Sequence, residues 1–291
     1  MSEVEGFIDV IGGKVWYQIH NHKSENTPVI VLHGGPGSSH YSMQGLRTLS
    51  EERPVIFYDQ LGCGKSERPN DASLWKIERF VEELRQVVET LALKEFHILG
   101  HSWGTTLAAA YYFTNPNGVK SIIFSSPCLS APRWARDQER NRELLPEDVQ
   151  VILKRCEDNG ATDSEEYKEA TKIFNQHFVL RLDPVPLFLK EGKQYQNPEV
   201  YHTMWGPSEF YVTGNLKDFD CTSQLETITI PTLFTCGRYD EATPTSTKFF
   251  NSITPGSEFH VFEESAHLPY VEEPEEFEKV MKKFLSNVDK N

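Results

Sequence analysis

Residues 100–104 read Gly100-His101-Ser102-Trp103-Gly104. This G-x-S-x-G pattern follows an apolar run at 96–99 and precedes a run of helix formers from Thr105 to about Thr114. In that setting the two glycines let the chain turn sharply from strand to helix where a Cβ would clash. The turn lifts Ser102 to the crest of a sheet, with its hydroxyl exposed and the neighbouring N–H groups free. That geometry is a nucleophile elbow, and it makes one serine the reference point for every functional reading of the chain.

Outward from the elbow, strand and helix signals alternate. Residues 6–10 and 14–20 alternate like hairpin strands about Gly12-Gly13. Short β-branched runs at 29–32 and 54–58 each end in a loop, His33-Gly34-Gly35-Pro36-Gly37 and Asp59-Gln60-Leu61-Gly62. In 74–93 the apolar positions recur at three and four residues, which predicts an amphipathic helix. Further strands are expected at 121–124, 231–236 and 258–262, and a closing helix at 273–288 with Pro274 at its start. This succession predicts an α/β-hydrolase fold, a mostly parallel central sheet flanked by helices, with ligand loops gathered at the strand C-termini.

The texture changes near Pro132. Residues 132–222 are charged, helical in pattern and then rich in proline and aromatics, with no strand alternation. They are expected to form a helical cap inserted between core segments 1–131 and 223–291.

A serine hydroxyl needs a base, and the base needs an orienting acid. On this fold the chain order is Ser, then Asp or Glu, then His. Asp240 follows the expected strand at 231–236, and His267 follows the one at 258–262. Ser102, Asp240 and His267 are therefore the expected triad. The other nine histidines lack that position and order. The oxyanion would be held by the N–H of Trp103, directly after the nucleophile, and by that of Gly35 in the early glycine loop. Gly62-Cys63-Gly64-Lys65-Ser66 ends like a phosphate-binding loop, but the full pattern requires glycine where Asp59 stands. Nucleotide binding is rejected.

Four segments together resemble one family: His-Gly-Gly-Pro-Gly at 33–37, Asp-Gln-x-Gly-x-Gly-x-Ser at 59–66, the elbow, and Gly-Arg-Tyr-Asp-Glu at 237–241. They resemble the proline iminopeptidase family of α/β-hydrolases, which includes the tricorn-interacting aminopeptidase and amino-acid amidases. The resemblance spans essentially the whole chain. It implies a serine exopeptidase that releases an N-terminal residue, often proline, from a short peptide or amino-acid amide, without metal or organic cofactor. It also implies that glutamates hold the free amino terminus. Glu241 follows the triad aspartate, and Glu209 stands in the Trp-Gly-x-x-Glu-Phe context of 205–210. Two carboxylates on a buried ammonium would reject blocked or internal sites, which lack the charge. Trp205, Phe210 and Tyr211, like Trp103, are expected to wall the pocket for the first side chain. The elbow's second residue, often glycine or glutamine in the family, is His101 here, and its effect is expected in packing beneath the triad.

Four rival readings share parts of this pattern. An L-amino-acid amidase would use the same site. A carboxylesterase or lactonase would use the triad without amine recognition, which Glu209 and Glu241 argue against. A non-catalytic receptor on the same scaffold would leave the triad idle. A dehalogenase or epoxide hydrolase would need an acidic nucleophile where Ser102 stands.

Composition narrows the partners. The 291 residues carry 29 basic and 43 acidic side chains, a net charge of −14, which argues against nucleic acid or an anionic membrane surface. The five cysteines are scattered, with no C-x-x-C pair, so neither a disulfide framework nor a zinc site is expected. Residues 1–10 are acidic and lack a signal-peptide pattern. No stretch approaches the roughly 20 apolar residues of a membrane span. The expected compartment is the reducing cytoplasm.

Overall fold

The computed structural model describes residues 2–290. Its centre is an eight-stranded sheet: β1 (Glu3–Val10), β2 (Gly13–His20), β3 (Val29–Leu32), β4 (Val55–Tyr58), β5 (Phe96–His101), β6 (Val119–Ser125), β7 (Thr232–Gly237) and β8 (Glu258–Phe262). The spatial order is β1-β2-β4-β3-β5-β6-β7-β8. From β4 to β8 every neighbouring pair is parallel, while β1–β2 and β2–β4 are antiparallel. β3, β4, β5 and β7 are buried throughout, as expected for strands covered on both faces.

Two apolar layers make that cover. On one face α1 (Ile77–Thr90) and α2 (Trp103–Tyr112) pack through Phe80, Leu84, Val87 and Leu107 against Ile30, Ile56 and Ile98. On the other, α10 (Pro274–Asp289) and a 3-10 segment at His40–Glu51 pack through Phe277, Met281, Leu285 and Met43 against Val31, Phe57 and Leu99. The odd and even positions of β3 thus feed different layers, the period-2 consequence of a pleated strand.

Between β6 and β7 lie α3 (Ala131–Glu143), α4 (Glu147–Asp158), α5 (Glu165–Phe178), α6 (Leu187–Gly192) and α7 (Pro198–Met204). Ser130 and Ser164 cap α3 and α5 by accepting from Arg133 N and Tyr167 N. These helices enclose a small core of their own, with Leu153, Tyr167, Phe174 and Phe210 at its centre. The remaining helices are α8 (Pro244–Ile253), after β7, and the single turn α9 (Pro269–Glu272), which leads into α10. Among the described residues no helix is long and apolar enough to cross a membrane, and all five cysteines are free and buried.

Candidate active site

Ser102 sits at φ 54° and ψ −124°, a backbone state that costs a non-glycine residue about 1–3 kcal/mol and persists only where its surroundings enforce it. The enforcement is local. A Cβ at Gly100 would strike the carbonyl of Gly104, and one at Gly104 would strike that of Leu32. Ser102 N donates to Ser125 O at 3.0 Å, which ties the turn to the end of β6. The next residue, Trp103, opens α2, where the first N–H groups of a helix have no intrahelical acceptor.

The early glycine loop meets this turn. Gly35 has φ +115°, and a Cβ there would sit 2.7 Å from the N atoms of Gly37 and Ser38. Gly35, Ser102 and Trp103 line one cavity together with Thr106, Cys128, Trp134, Trp205 and Glu209. The loop is wired to the elbow through Gln60. Its side chain donates to His33 O at 3.2 Å and accepts from Trp103 Nε1 at 2.8 Å. Its backbone N donates to His33 Nε2 at 3.1 Å. Burial holds the His33 imidazole below its ordinary value, so the neutral ring accepts at Nε2 and donates from Nδ1 to Gly34 O at 2.9 Å. Asp59, the first residue of the same segment, accepts from His40 N at 2.7 Å and from Lys65 N at 2.8 Å. The Asp-Gln-x-Gly-x-Gly-x-Ser segment is therefore a braced loop that fixes the Gly35 loop against Trp103.

Asp240 and His267 come from the loops after β7 and β8. His267 Nδ1 donates to Asp240 Oδ1 at 2.7 Å, and that oxygen also accepts from Ala242 N at 2.7 Å. Asp240 Oδ2 accepts from Gly237 N at 3.2 Å. The imidazole is buried, which by itself would lower its pKa, but the charge and hydrogen bond of Asp240, with Glu209 and Glu272, raise it above 6.5. Below it lies His101, with ring centroids 4.8 Å apart and Tyr270 a further 5.1 Å on. Burial and the His267 charge hold His101 well below its ordinary value, so it is a neutral support.

The helices between β6 and β7 clamp these loops. His267 N donates to Val179 O and Glu241 N to Phe178 O, each at 3.1 Å. Gln138 Nε2 on α3 donates to Glu241 O at 2.8 Å. Glu272 accepts from Arg181 N at 2.7 Å and from Ala266 N at 2.8 Å, bridging the end of that clamp to the histidine loop.

Glu209, from the segment after α7, and Glu241, from the loop after β7, reach the same place. Glu241 is fully buried, and neither of its carboxylate oxygens has a hydrogen-bond partner. Its Oε1 lies 3.7 Å from His267 Nε2. Burial, Glu209 and Asp240 together push the Glu241 carboxyl far above its ordinary range. Burial also raises Glu209, against the pull of His267 and the nearby Tyr201 hydroxyl. Two mutually repelling carboxyls without a fixed cation make a site that lacks one positive charge.

The expected pocket wall needs correction. Trp205 lines the cavity, as does Trp103, but Phe210 and Tyr211 do not. The Phe210 ring lies tilted against Phe174 at 4.5 Å and Tyr167 at 6.1 Å, inside the core of α4 and α5, and Tyr211 packs on its margin. Glu209 and Phe210 are adjacent but part company at a turn closed by the Ser208–Tyr211 bridge. The dry rings of α5 take the phenyl group, and the carboxyl goes to the cavity. The wall residues not foreseen are Thr106, Cys128 and, beside the histidine, Trp134 of α3. Trp134 lies edge-on 5.9 Å from the His267 ring and donates from Nε1 to Glu209 O at 2.8 Å. The available signal was Trp134, Gln138 and Asn141 sharing one face of a charged helix at spacings of four and three.

The fold and the strained serine turn at its centre define an α/β-hydrolase. Residues 27–274 match the family model of the alpha/beta hydrolase fold, which sets the class. A proline iminopeptidase from Heyndrickxia coagulans is 61% identical over 285 residues, 98% of this chain and 99% of that one. Another, from Saccharolobus solfataricus, is 36% identical over 98% of this chain and 93% of its own length. The crystal structure of the Mycobacterium smegmatis proline iminopeptidase superposes with a TM-score of 0.89 at 33% identity, covering 98% of this chain and 99% of that one. That of VinJ gives 0.93 at 34% identity, with the same coverage. The chain belongs to the proline iminopeptidase family of α/β-hydrolases.

Proposed function

We propose that the protein is a serine exopeptidase that releases an N-terminal residue, proline first among them, from short peptides or amino-acid amides. The observation that carries this reading is the buried, unpartnered Glu241 carboxylate beside Glu209 and His267. A free α-ammonium supplies the missing charge and places the first carbonyl against Ser102. His267 then takes the Ser102 proton as Ser102 attacks that carbonyl. Asp240 fixes the tautomer with the proton on Nδ1. The N–H groups of Gly35 and Trp103 receive the oxyanion. His267 next protonates the leaving amine, and water hydrolyses the aminoacyl-enzyme with His267 again as base.

In this reading residues 132–222 act as a cap. They supply Glu209 and the indoles of Trp134 and Trp205, and they close the site to internal peptide segments. Five free buried cysteines fit a cytoplasmic setting. The deciding experiment compares a proline arylamide with its N-acetylated form. Turnover of the free amine alone supports the reading, and equal turnover of both overturns it in favour of a general esterase or amidase.

A further inference from the structure

His267 Nε2 is the nitrogen that must accept the Ser102 proton, yet it stands 3.7 Å from Glu241 Oε1. Both side chains are buried, and Glu241 has no hydrogen-bond partner that would otherwise occupy it. The groups facing His267 are Asp240 and Glu241 from the loop after β7, Glu209 from the segment after α7, Glu272 from α9 and neutral His101 from β5. Among the described residues no lysine or arginine forms an ion pair with Asp240, Glu241 or Glu209. The imidazole is thus the only cation this ring of carboxylates can hold without substrate.

We propose that the His267 imidazolium and the substrate's α-ammonium compete for the same Glu209–Glu241 pair, so that seating the ammonium expels a proton and frees His267 as the base. This rests on the amine-binding reading above. The exchange balances. The enzyme with protonated His267 and the ammonium form a complex with neutral His267 and the ammonium on the carboxylates, and one proton passes to solvent. Two cations on one buried pair repel strongly because little water screens them. The amine therefore does two things: it anchors the substrate, and it switches on the base that will attack it. A blocked substrate would lack both.

The test uses Ser102→Ala, which keeps the site but cannot turn over, with L-prolinamide as the probe. Calorimetric titration at pH 7 in two buffers of different ionisation heat counts protons. The expected result is release of up to one proton per probe bound, equal to the share of His267 that is protonated at that pH and lost when His267→Asn is added, as linkage requires when a bound cation displaces a proton. Binding without proton release overturns the proposal, and so does release that persists when His267→Asn is added, because that proton comes from the Glu209 or Glu241 carboxyl. The second readout needs no probe. The His267 imidazole is titrated by NMR in Ser102→Ala, its signal assigned by its loss in His267→Asn. Adding Glu209→Gln and Glu241→Gln together should lower its pKa by about one unit or more, and an unchanged pKa overturns the proposal. If the double replacement fails to fold, Glu241→Gln alone serves in the same comparison. Failure of L-prolinamide to bind at all would sink the amine-binding reading instead, and the NMR comparison would still judge this one.

Discussion

The indole Nε1 of Trp134 donates to the backbone carbonyl of Glu209 at 2.8 Å, and Trp205 Nε1 shares that acceptor at 3.3 Å. The two rings cross edge-to-face, 5.7 Å apart. Glu209 is therefore placed through its main chain, which leaves its carboxyl beside the Tyr201 hydroxyl at the cavity. Trp134→Phe keeps the ring and removes the donor. A neutral hydrogen bond contributes about 1 kcal/mol net, so KM for a free-amine substrate should rise roughly fivefold with kcat little changed. Steady-state kinetics check this. A fall in kcat at constant KM would mean that Trp134 acts on His267, which it also touches, rather than on Glu209.

Ser102→Ala should reduce kcat by roughly 10⁴-fold or more, because the triad acts as a unit. Asp240→Asn should approach the same loss, since an amide at that position favours the wrong imidazole tautomer. Both variants should keep the circular dichroism spectrum of the parent. Residual turnover near the parent rate in either would remove that residue from the mechanism.

Glu209→Gln preserves size and removes charge. A hydrogen bond to a charged group contributes about 1.5–3 kcal/mol, so KM for a proline arylamide should rise roughly 10- to 100-fold. Hydrolysis of a simple ester without an amine should change little. Glu241→Gln should show the same contrast. An equal effect on both substrates would make Glu241 a structural support for Asp240.

The pH profile follows from signs. His267 works as a base only when neutral, and its pKa lies above 6.5 because Asp240, Glu209 and Glu272 outweigh the opposing effect of burial. The raised Glu209 and Glu241 carboxyls must also share out their protons before an ammonium can bind. All three groups move activity in one direction, so kcat/KM should rise with pH through an apparent pKa above the ordinary imidazole value. An acidic limb at the ordinary carboxylate range would contradict this.

Far from the site, Arg53 anchors the last helix. Its guanidinium donates to Asp289 Oδ2 at 2.7 Å, and His97 Nε2 lies 3.1 Å from Asp289 Oδ1. Burial would raise Asp289, but Arg53 and His97 hold it below 3.8. A depressed carboxyl contributes stability that is present above its unfolded pKa and is lost as pH falls through the folded one. Asp289→Asn should cost about 1–3 kcal/mol near neutral pH, as when a hydrogen-bonded buried charge loses its partner. The gap from the parent should begin to narrow as pH falls below about 4, where the unfolded chain takes up the proton first, and should close only below the folded value. Urea unfolding at both pH values measures it.

Much of this fold was legible in the chain because its signals are local. The period of three and four in 74–93 marks α1, which runs from Ile77 to Thr90. The alternation about Gly12-Gly13 marks the β1–β2 hairpin, whose partners run from Glu3–His20 to Val10–Gly13. The insertion of β4 between β2 and β3 was not legible, nor was the antiparallel β2–β4 pairing. Strand order is set by which long-range pairing buries most apolar surface, and no local pattern carries that. The 3-10 segment at His40–Glu51 was missed for a related reason, since its apolar side is completed by α10.

For the site, the sequence by itself determined the candidate nucleophile, acid and base, because each stands at a fixed place relative to its own strand. It also pointed to Glu209 and Glu241 as candidates for holding an amine, through the family resemblance of the short contexts around them. Only the tertiary structure decided how they are held. Gln60 reaches His33 and Trp103 across 27 and 43 residues, and Trp134 reaches Glu209 across 75. It alone separated Glu209 from Phe210, turning one to the cavity and the other into the core of α5. And it alone brought Glu241 to His267 Nε2. Local spacing encodes which groups a fold presents, whereas the distances that set their charge arise only when distant segments close on one another and exclude water.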